Sequence, residues 1–215
     1  MASRTVAAPP LDWQGSLFGA DEPRPDSSFA AARRIELGDG AWVDVVPAWL
    51  AGADTLFEQL VGSVAWKAHE VPMYERIVAQ PRLSAWWSDG EASWPADVHP
   101  IADALTDRYG VRFDALGCNL YRSGTDSVAW HGDRVYREQD VALVAVLTLG
   151  AARRFLLRPK GGGPSVKLEP AAGDLLVMGG TCQRTWQHSV PKTARPVGPR
   201  LSVTLRHRAE LARSG

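Results

Sequence analysis

The sequence predicts a mainly β (α+β) domain in which a helical lead-in precedes a β-sandwich or jelly roll. Eight short β-type runs occur near residues 116–121, 127–131, 141–149, 154–158, 165–169, 174–178, 186–190 and 200–206. Gly, Pro and Ser clusters separate many of them, including Gly161-Gly162-Gly163-Pro164. Many short strands punctuated in this way suit a two-sheet architecture. Apolar residues at helical spacing fall before these runs, and no internal repeat is present.

Residues 1–30 are rich in Ala, Pro, Asp and Ser and predict a flexible tail, interrupted by the island Trp13-Gln14-Gly15-Ser16-Leu17-Phe18. Residues 31–110 form a second region. Residues 33–46 predict strand, turn and strand, with Gly38-Asp39-Gly40 as the turn. Pro47 suits the first position of a helix, and Leu50, Ala53, Leu56, Phe57, Leu60, Val61 and Val64 follow on one helical face. Residues 66–99, with Trp66, Tyr74, Trp86, Trp87 and Trp94 among several prolines, are expected to be irregular. A second helix is predicted over residues 100–109, closed by Gly110. The strand-rich core then occupies residues 111–210.

At 215 residues, 45% hydrophobic and 22% charged, the chain suits one well-buried domain plus a tail. No run of 18 apolar residues exists, and no charged start leads into an apolar stretch, so neither a membrane span nor a secretory signal is expected. Cys118 and Cys182 lie 64 residues apart, in neither a CxxC nor a zinc spacing, which suits a reduced, cytoplasmic protein. Net charge is zero but polarised. Residues 1–60 hold nine acids against four Lys/Arg, and residues 151–208 hold eleven Lys/Arg against Glu169 and Asp174. Such a distribution presents either a basic face to a polyanion or an ordinary solvated surface.

His131-Gly132-Asp133 spaces an imidazole and a carboxylate at i and i+2, which in extended chain project from one face. His188, in another predicted strand 57 residues on, is the candidate third ligand; taken alone it reads as a hydrogen-bonded histidine near a strand end. Two histidines and one carboxylate are the facial triad of non-haem iron(II) sites, with three positions left open, whereas zinc usually takes four-coordination. The strand Arg200-Leu201-Ser202-Val203-Thr204-Leu205-Arg206 adds to this. Its period of two puts both arginines on one face with Ser202 and Thr204, and the apolar residues on the other. Two guanidinium forks suit a dicarboxylate. Asn119 and Tyr121 share a strand face upstream and offer an amide and a phenol to the same ligand. The bland alternative for the arginine strand is a charged edge that resists aggregation.

These residues resemble the AlkB family of Fe(II)/2-oxoglutarate-dependent dioxygenases. The matching stretches are Asn119-Leu120-Tyr121-Arg122, Ser127-Val128-Ala129-Trp130-His131-Gly132-Asp133, Trp186-Gln187-His188-Ser189-Val190-Pro191 and the strand from Arg200 to Arg206. The pattern is most similar to the branch of the animal DNA-repair homologues, and residues 35–118 match it only loosely. The resemblance implies a double-stranded β-helix, preceded by a nucleotide-recognition lid region over residues 31–110. It implies that His131, Asp133 and His188 ligate iron. It also implies that Asn119, Tyr121, Arg200, Ser202, Thr204 and Arg206 hold 2-oxoglutarate, with O2 as the second cosubstrate. The implied reaction is oxidative demethylation of bases such as 1-methyladenine and 3-methylcytosine in DNA. It releases succinate, CO2 and formaldehyde.

A flipped base needs flat surfaces to stack on. His131 offers one, and Trp86 or Trp87 the other, with Trp87 favoured. Lys67, Arg76, Arg82, Arg153, Arg154 and Arg158 are candidate phosphate contacts. One departure stands out: the repair homologues carry a second acid just after the metal-binding aspartate, and this chain has Arg134 there, with the next acid at Glu138. Arg134 repels a cationic base or draws a phosphate. An RNA, nucleotide or protein substrate is therefore an alternative, as is a non-catalytic nucleic-acid-binding jelly roll. Residues 14–18 also resemble the Gln-x-x-Leu-Phe peptides that dock on bacterial sliding clamps. The expected state is a monomer.

Overall fold

All eight strands predicted for the second half form. The computed structural model describes residues 3–15, 21–73, 76–87, 91–133 and 142–207. The first strands are β1 (Ser3–Val6), β2 (Arg24–Pro25), β3 (Arg33–Gly38), β4 (Ala41–Val46) and β5 (Leu50–Ala51). Helix α1 (Ala53–Ser63) leads into β6 (Trp66–Met73), β7 (Arg76–Ala79) and β8 (Leu83–Trp87). Helix α2 (His99–Tyr109) precedes β9 (Ala115–Tyr121), β10 (Val128–His131), β11 (Val144–Gly150), β12 (Phe155–Pro159), β13 (Val166–Leu168) and β14 (Leu175–Gly180). The short α3 (Cys182–Thr185), β15 (Trp186–Val190) and β16 (Arg200–Arg206) complete the described fold.

The strands make a jelly roll of two main sheets. The larger has ten strands in the order β1-β6-β8-β9-β16-β11-β14-β4-β3, with β7 paired to β6; the smaller is β10-β15-β12-β13. Strand pairing throughout is antiparallel. Alternation sorts each central strand between two cores. Leu201, Val203 and Leu205 of β16 join Leu116, Cys118 and Leu120 of β9 beneath the buried faces of the helices, Leu56, Phe57 and Leu60 of α1 and Ile101 and Leu105 of α2. On the other face Val144, Val146, Leu176 and Met178 meet Phe155, Leu157, Trp186 and Val190 of the smaller sheet. The pocket opens between the two sheets, among the polar residues of β9 and β16.

The first 110 residues depart from expectation in three places. Helix α1 starts at Ala53 rather than at Pro47, because the chain first turns at Pro47-Ala48, where Asp174 Oδ1 accepts the Ala48 N–H at 2.8 Å. Gly52 then begins the helix at φ 69°, and a Cβ there would stand 2.4 Å from the Asp21 carbonyl oxygen. Glycine alone tolerates both conditions. Residues 66–99 are not irregular throughout, since β6, β7 and β8 extend the large sheet and bury Trp66, Leu83 and Ala85. Their prolines masked the strand pattern. The predicted tail is tied down in its described part: β1 pairs with β6, and Trp13 lies against Phe57 with ring centroids 4.3 Å apart. Backbone pairing with β6, and the partial burial of Val6, Leu11 and Trp13 against the core, outweigh the Pro-rich composition. Ser16, Leu17 and Phe18 of the clamp-like peptide, and likewise Arg134 and Glu138, lie outside the described residues. Helix α2 closes as predicted, on Gly110 at φ 67°.

Candidate active site

His131 ends β10 and stands directly opposite His188 of β15, so one strand pair brings both imidazoles to the same sheet face. Their ring centroids are 4.2 Å apart. Asp133 follows two residues after His131, and one ligand atom from each of the three residues lies within 4.8 Å of the others. Each candidate ligand is held by groups outside the triad. His131 Nδ1 lies 2.8 Å from the Ala129 carbonyl oxygen and donates to it, which leaves Nε2 free to face a metal. His188 is buried with its ring stacked on Phe155, at a centroid distance of 5.5 Å. The Asp133 carboxylate accepts from Arg206 Nε at 3.0 Å and from Nη2 at 3.4 Å.

The electrostatics prepare the triad for a cation. Burial, followed by the neighbouring His131, pushes the His188 pKa down to about 3, so the ring is neutral at ordinary pH. Burial pushes the Asp133 carboxyl up. The charge of Arg206 and the neighbouring histidines outweigh it and hold the group below its usual value. Neutral imidazoles and an ionised carboxylate are the forms that bind a metal.

Beside the triad lies a pocket of about 170 Å³. Every residue expected to hold a dicarboxylate lines it: Asn119, Tyr121, Arg200, Ser202, Thr204 and Arg206. Strand β16 lies between β9 and β11, placing Arg200 opposite Tyr121 and Ser202 opposite Asn119. Arg200 is 1% exposed, which is unusual for an arginine. Its Nη2 donates to Thr148 Oγ1 at 3.1 Å, while Nε and Nη1 have no partner among the described residues. Arg206 Nη1 is also buried and has no partner among them. Buried guanidinium N–H groups without acceptors are costly, and a bound dianion removes the cost.

The sequence of this site has clear kin. The profile of the 2OG-Fe(II) oxygenase superfamily matches residues 62–206. The DNA oxidative demethylase ALKBH2 of Arabidopsis thaliana is 30% identical over an alignment of 225 positions, gaps included, that covers 85% of this chain and 71% of that protein. The chain is an AlkB-family 2OG-Fe(II) oxygenase. The human alpha-ketoglutarate-dependent dioxygenase alkB homolog 3 is 34% identical over 174 residues, 72% of this chain. The matched stretch spans 61% of that relative and 62% of its bovine counterpart. Among solved structures, the fold resembles OsALKBH1 with a TM-score of 0.55 at 17% identity, covering 80% of this chain and 100% of that one. It also resembles a 2OG-Fe(II) family oxidoreductase from Burkholderia pseudomallei, with a TM-score of 0.52 at 15% identity over 78% of this chain and 85% of that one.

Members of this oxygenase family use iron(II), 2-oxoglutarate and O2. The residues present fit that set. Two imidazoles and a carboxylate converge as a candidate iron site, and beside it three buried guanidinium nitrogens lack an acceptor among the described residues.

The aromatic platform differs from expectation. Trp86, not Trp87, lines the pocket, and it is 51% exposed. Trp87 packs against the helix-side core. The two alternate along β8, so only one of them can face the pocket. Trp86 pairs with Gly117 of β9, and a Cβ at Gly117 would stand 2.7 Å from its ring. The ring therefore lies against the strand, with the Arg206 guanidinium carbon 4.5 Å from its centroid. Lys67 is exposed opposite Ser84, on the Trp86 face of the sheet but outside the pocket wall. Arg153 is no phosphate contact: it is 3% exposed, and its fork donates to the carbonyls of Ser123, Asp126 and Pro191. Arg158 lies over the Trp130 ring at 4.1 Å, and Arg154 is exposed. Arg82, expected only at a phosphate, lines the pocket and donates from Nε to Asn119 Oδ1 at 3.0 Å. Thr148, Phe155 and Gln183 complete the surroundings. Sequence spacing carried no signal for these three.

Proposed function

We propose that this oxygenase removes N-linked methyl groups from alkylated bases, such as 1-methyladenine and 3-methylcytosine, in DNA. Iron(II), O2 and 2-oxoglutarate supply the oxidation, and the products are succinate, CO2 and formaldehyde. The observation that carries this reading is Trp86. A half-exposed indole lines the same pocket as the His131 ring, in reach of a planar base turned out of its helix. The name of the Arabidopsis relative, a DNA oxidative demethylase, supports it. His131, Asp133 and His188 would hold the metal. Arg200 and Arg206 would pair with the two ends of the cosubstrate, while Asn119, Tyr121, Ser202 and Thr204 complete its hydrogen bonds. The buried rings of Phe155 and Tyr121 would exclude water from the reacting methyl. Free, buried Cys118 and Cys182 suit a reducing, cytoplasmic setting.

A panel of singly methylated DNA and RNA oligonucleotides, assayed with iron, ascorbate and 2-oxoglutarate, tests the proposal. Formaldehyde release from methylated DNA is expected, and His131→Ala and Asp133→Ala abolish it. Cosubstrate turnover with no product on any nucleic acid sinks it. Arg134, where the repair homologues have an acid, favours a second reading in which RNA or a free nucleotide is the substrate. Product on the RNA arm alone is its signature.

A further inference from the structure

We infer that Gln183 is the positioning residue that seats Asp133 for metal binding. The inference rests on the proposed role of His131, Asp133 and His188 as the metal's ligands. Gln183 belongs to α3, the four-residue turn that runs directly into β15 and His188. It is 4% exposed. Its Oε1 accepts the backbone N–H of Asp133 at 3.2 Å, and its Nε2 donates to Met178 Sδ at 3.7 Å. The amide is thus held at both ends, with its oxygen turned toward Asp133.

The backbone of the same turn supports the neighbouring residue. A Cβ at Gly132 would stand 2.9 Å from the Gln183 carbonyl oxygen and 3.3 Å from that of Trp186. The chain between His131 and Asp133 therefore lies flush against α3, which accounts for the glycine inside the His-Gly-Asp sequence. One short segment thus fixes two ligands by different means: His188 through the register of β15 with β10, and Asp133 through the Gln183 side chain. Gln183 holds the Asp133 backbone, while the carboxylate is held by Arg206 among the contacts of the described residues. Arg206 also has a carboxylate end of the cosubstrate to meet. Gln183 keeps the ligand in place by a contact that cosubstrate binding does not redirect.

Groups that orient a metal ligand typically contribute 10–100-fold to metal affinity. Mn(II) binding to the full chain, followed by electron paramagnetic resonance, is the test, with thermal unfolding measured in parallel. Gln183→Leu removes the acceptor, and Gln183→Asn withdraws it by one methylene; each is expected to weaken Mn(II) binding by about 10–100-fold. Gln183→Glu keeps an acceptor at full reach and is expected to restore affinity to within about threefold of the parent, a rescue that a purely structural role does not predict. Parental affinity in the Asn and Leu variants overturns the inference. So does equal weakening in all three. Failure of the parent to bind Mn(II), or binding that survives Asp133→Ala, is a different result and overturns the triad reading itself.

Discussion

Arg206 Nε donates to Asp133 Oδ2 at 3.0 Å, joining the arginine-bearing strand to the candidate metal triad in one buried ion pair. The pair compensates two charges that burial disfavours, at 8% and 13% side-chain exposure. Breaking one partner of such a pair strands the other. Arg206→Met is expected to destabilise the metal-free protein by about 3–5 kcal/mol. Mn(II) should recover part of that loss, since the metal takes over the stranded carboxylate. Urea denaturation with and without Mn(II) checks both statements; equal stability of parent and variant without metal refutes the first.

Arg200 predicts the opposite sign. Among the described residues its Nε and Nη1 have no acceptor, so the ligand-free fold carries a buried charge that is only partly compensated. Burial accordingly lowers its pKa. Arg200→Met is expected to stabilise the ligand-free protein, by on the order of 1 kcal/mol. The same change removes charged hydrogen bonds to the cosubstrate and weakens 2-oxoglutarate binding by about 10–100-fold. Calorimetric titration and thermal unfolding of one variant give both numbers.

Trp86 and Trp87 are neighbours with different duties. Trp86→Ala is expected to raise the Kd for a methylated oligonucleotide by about 5–150-fold, the equivalent of about 1–3 kcal/mol for a lost stacking surface. Trp87→Ala removes a side chain packed on the core and should appear first as lost stability. Fluorescence anisotropy and unfolding curves separate the two, and a reversed pattern rejects the assignment of Trp86 to the substrate.

The alkaline limb of stability reports on Tyr109. Its hydroxyl donates to Asp44 Oδ2 at 3.0 Å, and Arg34 pairs with the same carboxylate. Burial first, and then the Asp44 charge, raise the phenol above its ordinary pKa of 10.0. The unfolded chain loses this proton before the folded one does, so the contribution is intact below pH 10.0 and fades as pH climbs through the raised folded value. Tyr109→Phe should flatten that fall. Urea midpoints of the two proteins across the alkaline range decide it.

The two cysteines make a simpler forecast. Burial pushes both thiols up to about 12. Neither Cys118 nor Cys182 should react with a thiol reagent at neutral pH until the protein unfolds. Fast labelling of the native protein contradicts the packing of both.

The sequence by itself determined which residues share the faces that meet at the candidate site. A period of two along β16 already separated Arg200, Ser202, Thr204 and Arg206 from the core-facing Leu201, Val203 and Leu205. The spacing of His131 and Asp133 marked two ligands on one face in the same way. Strand periodicity is a local property, set by backbone geometry, so it can be read from neighbouring residues alone. The tertiary structure decided everything that depends on which strands lie side by side. Placing β16 between β9 and β11 put Tyr121 across from Arg200 and Asn119 across from Ser202, and the register of β10 on β15 set His131 against His188. The fold also chose Trp86 over Trp87, drew β1 and β6–β8 into the large sheet and recruited Gln183 to Asp133. Hydrogen bonds between strands far apart in the chain, and the burial they permit, select those neighbours. No local pattern encodes them.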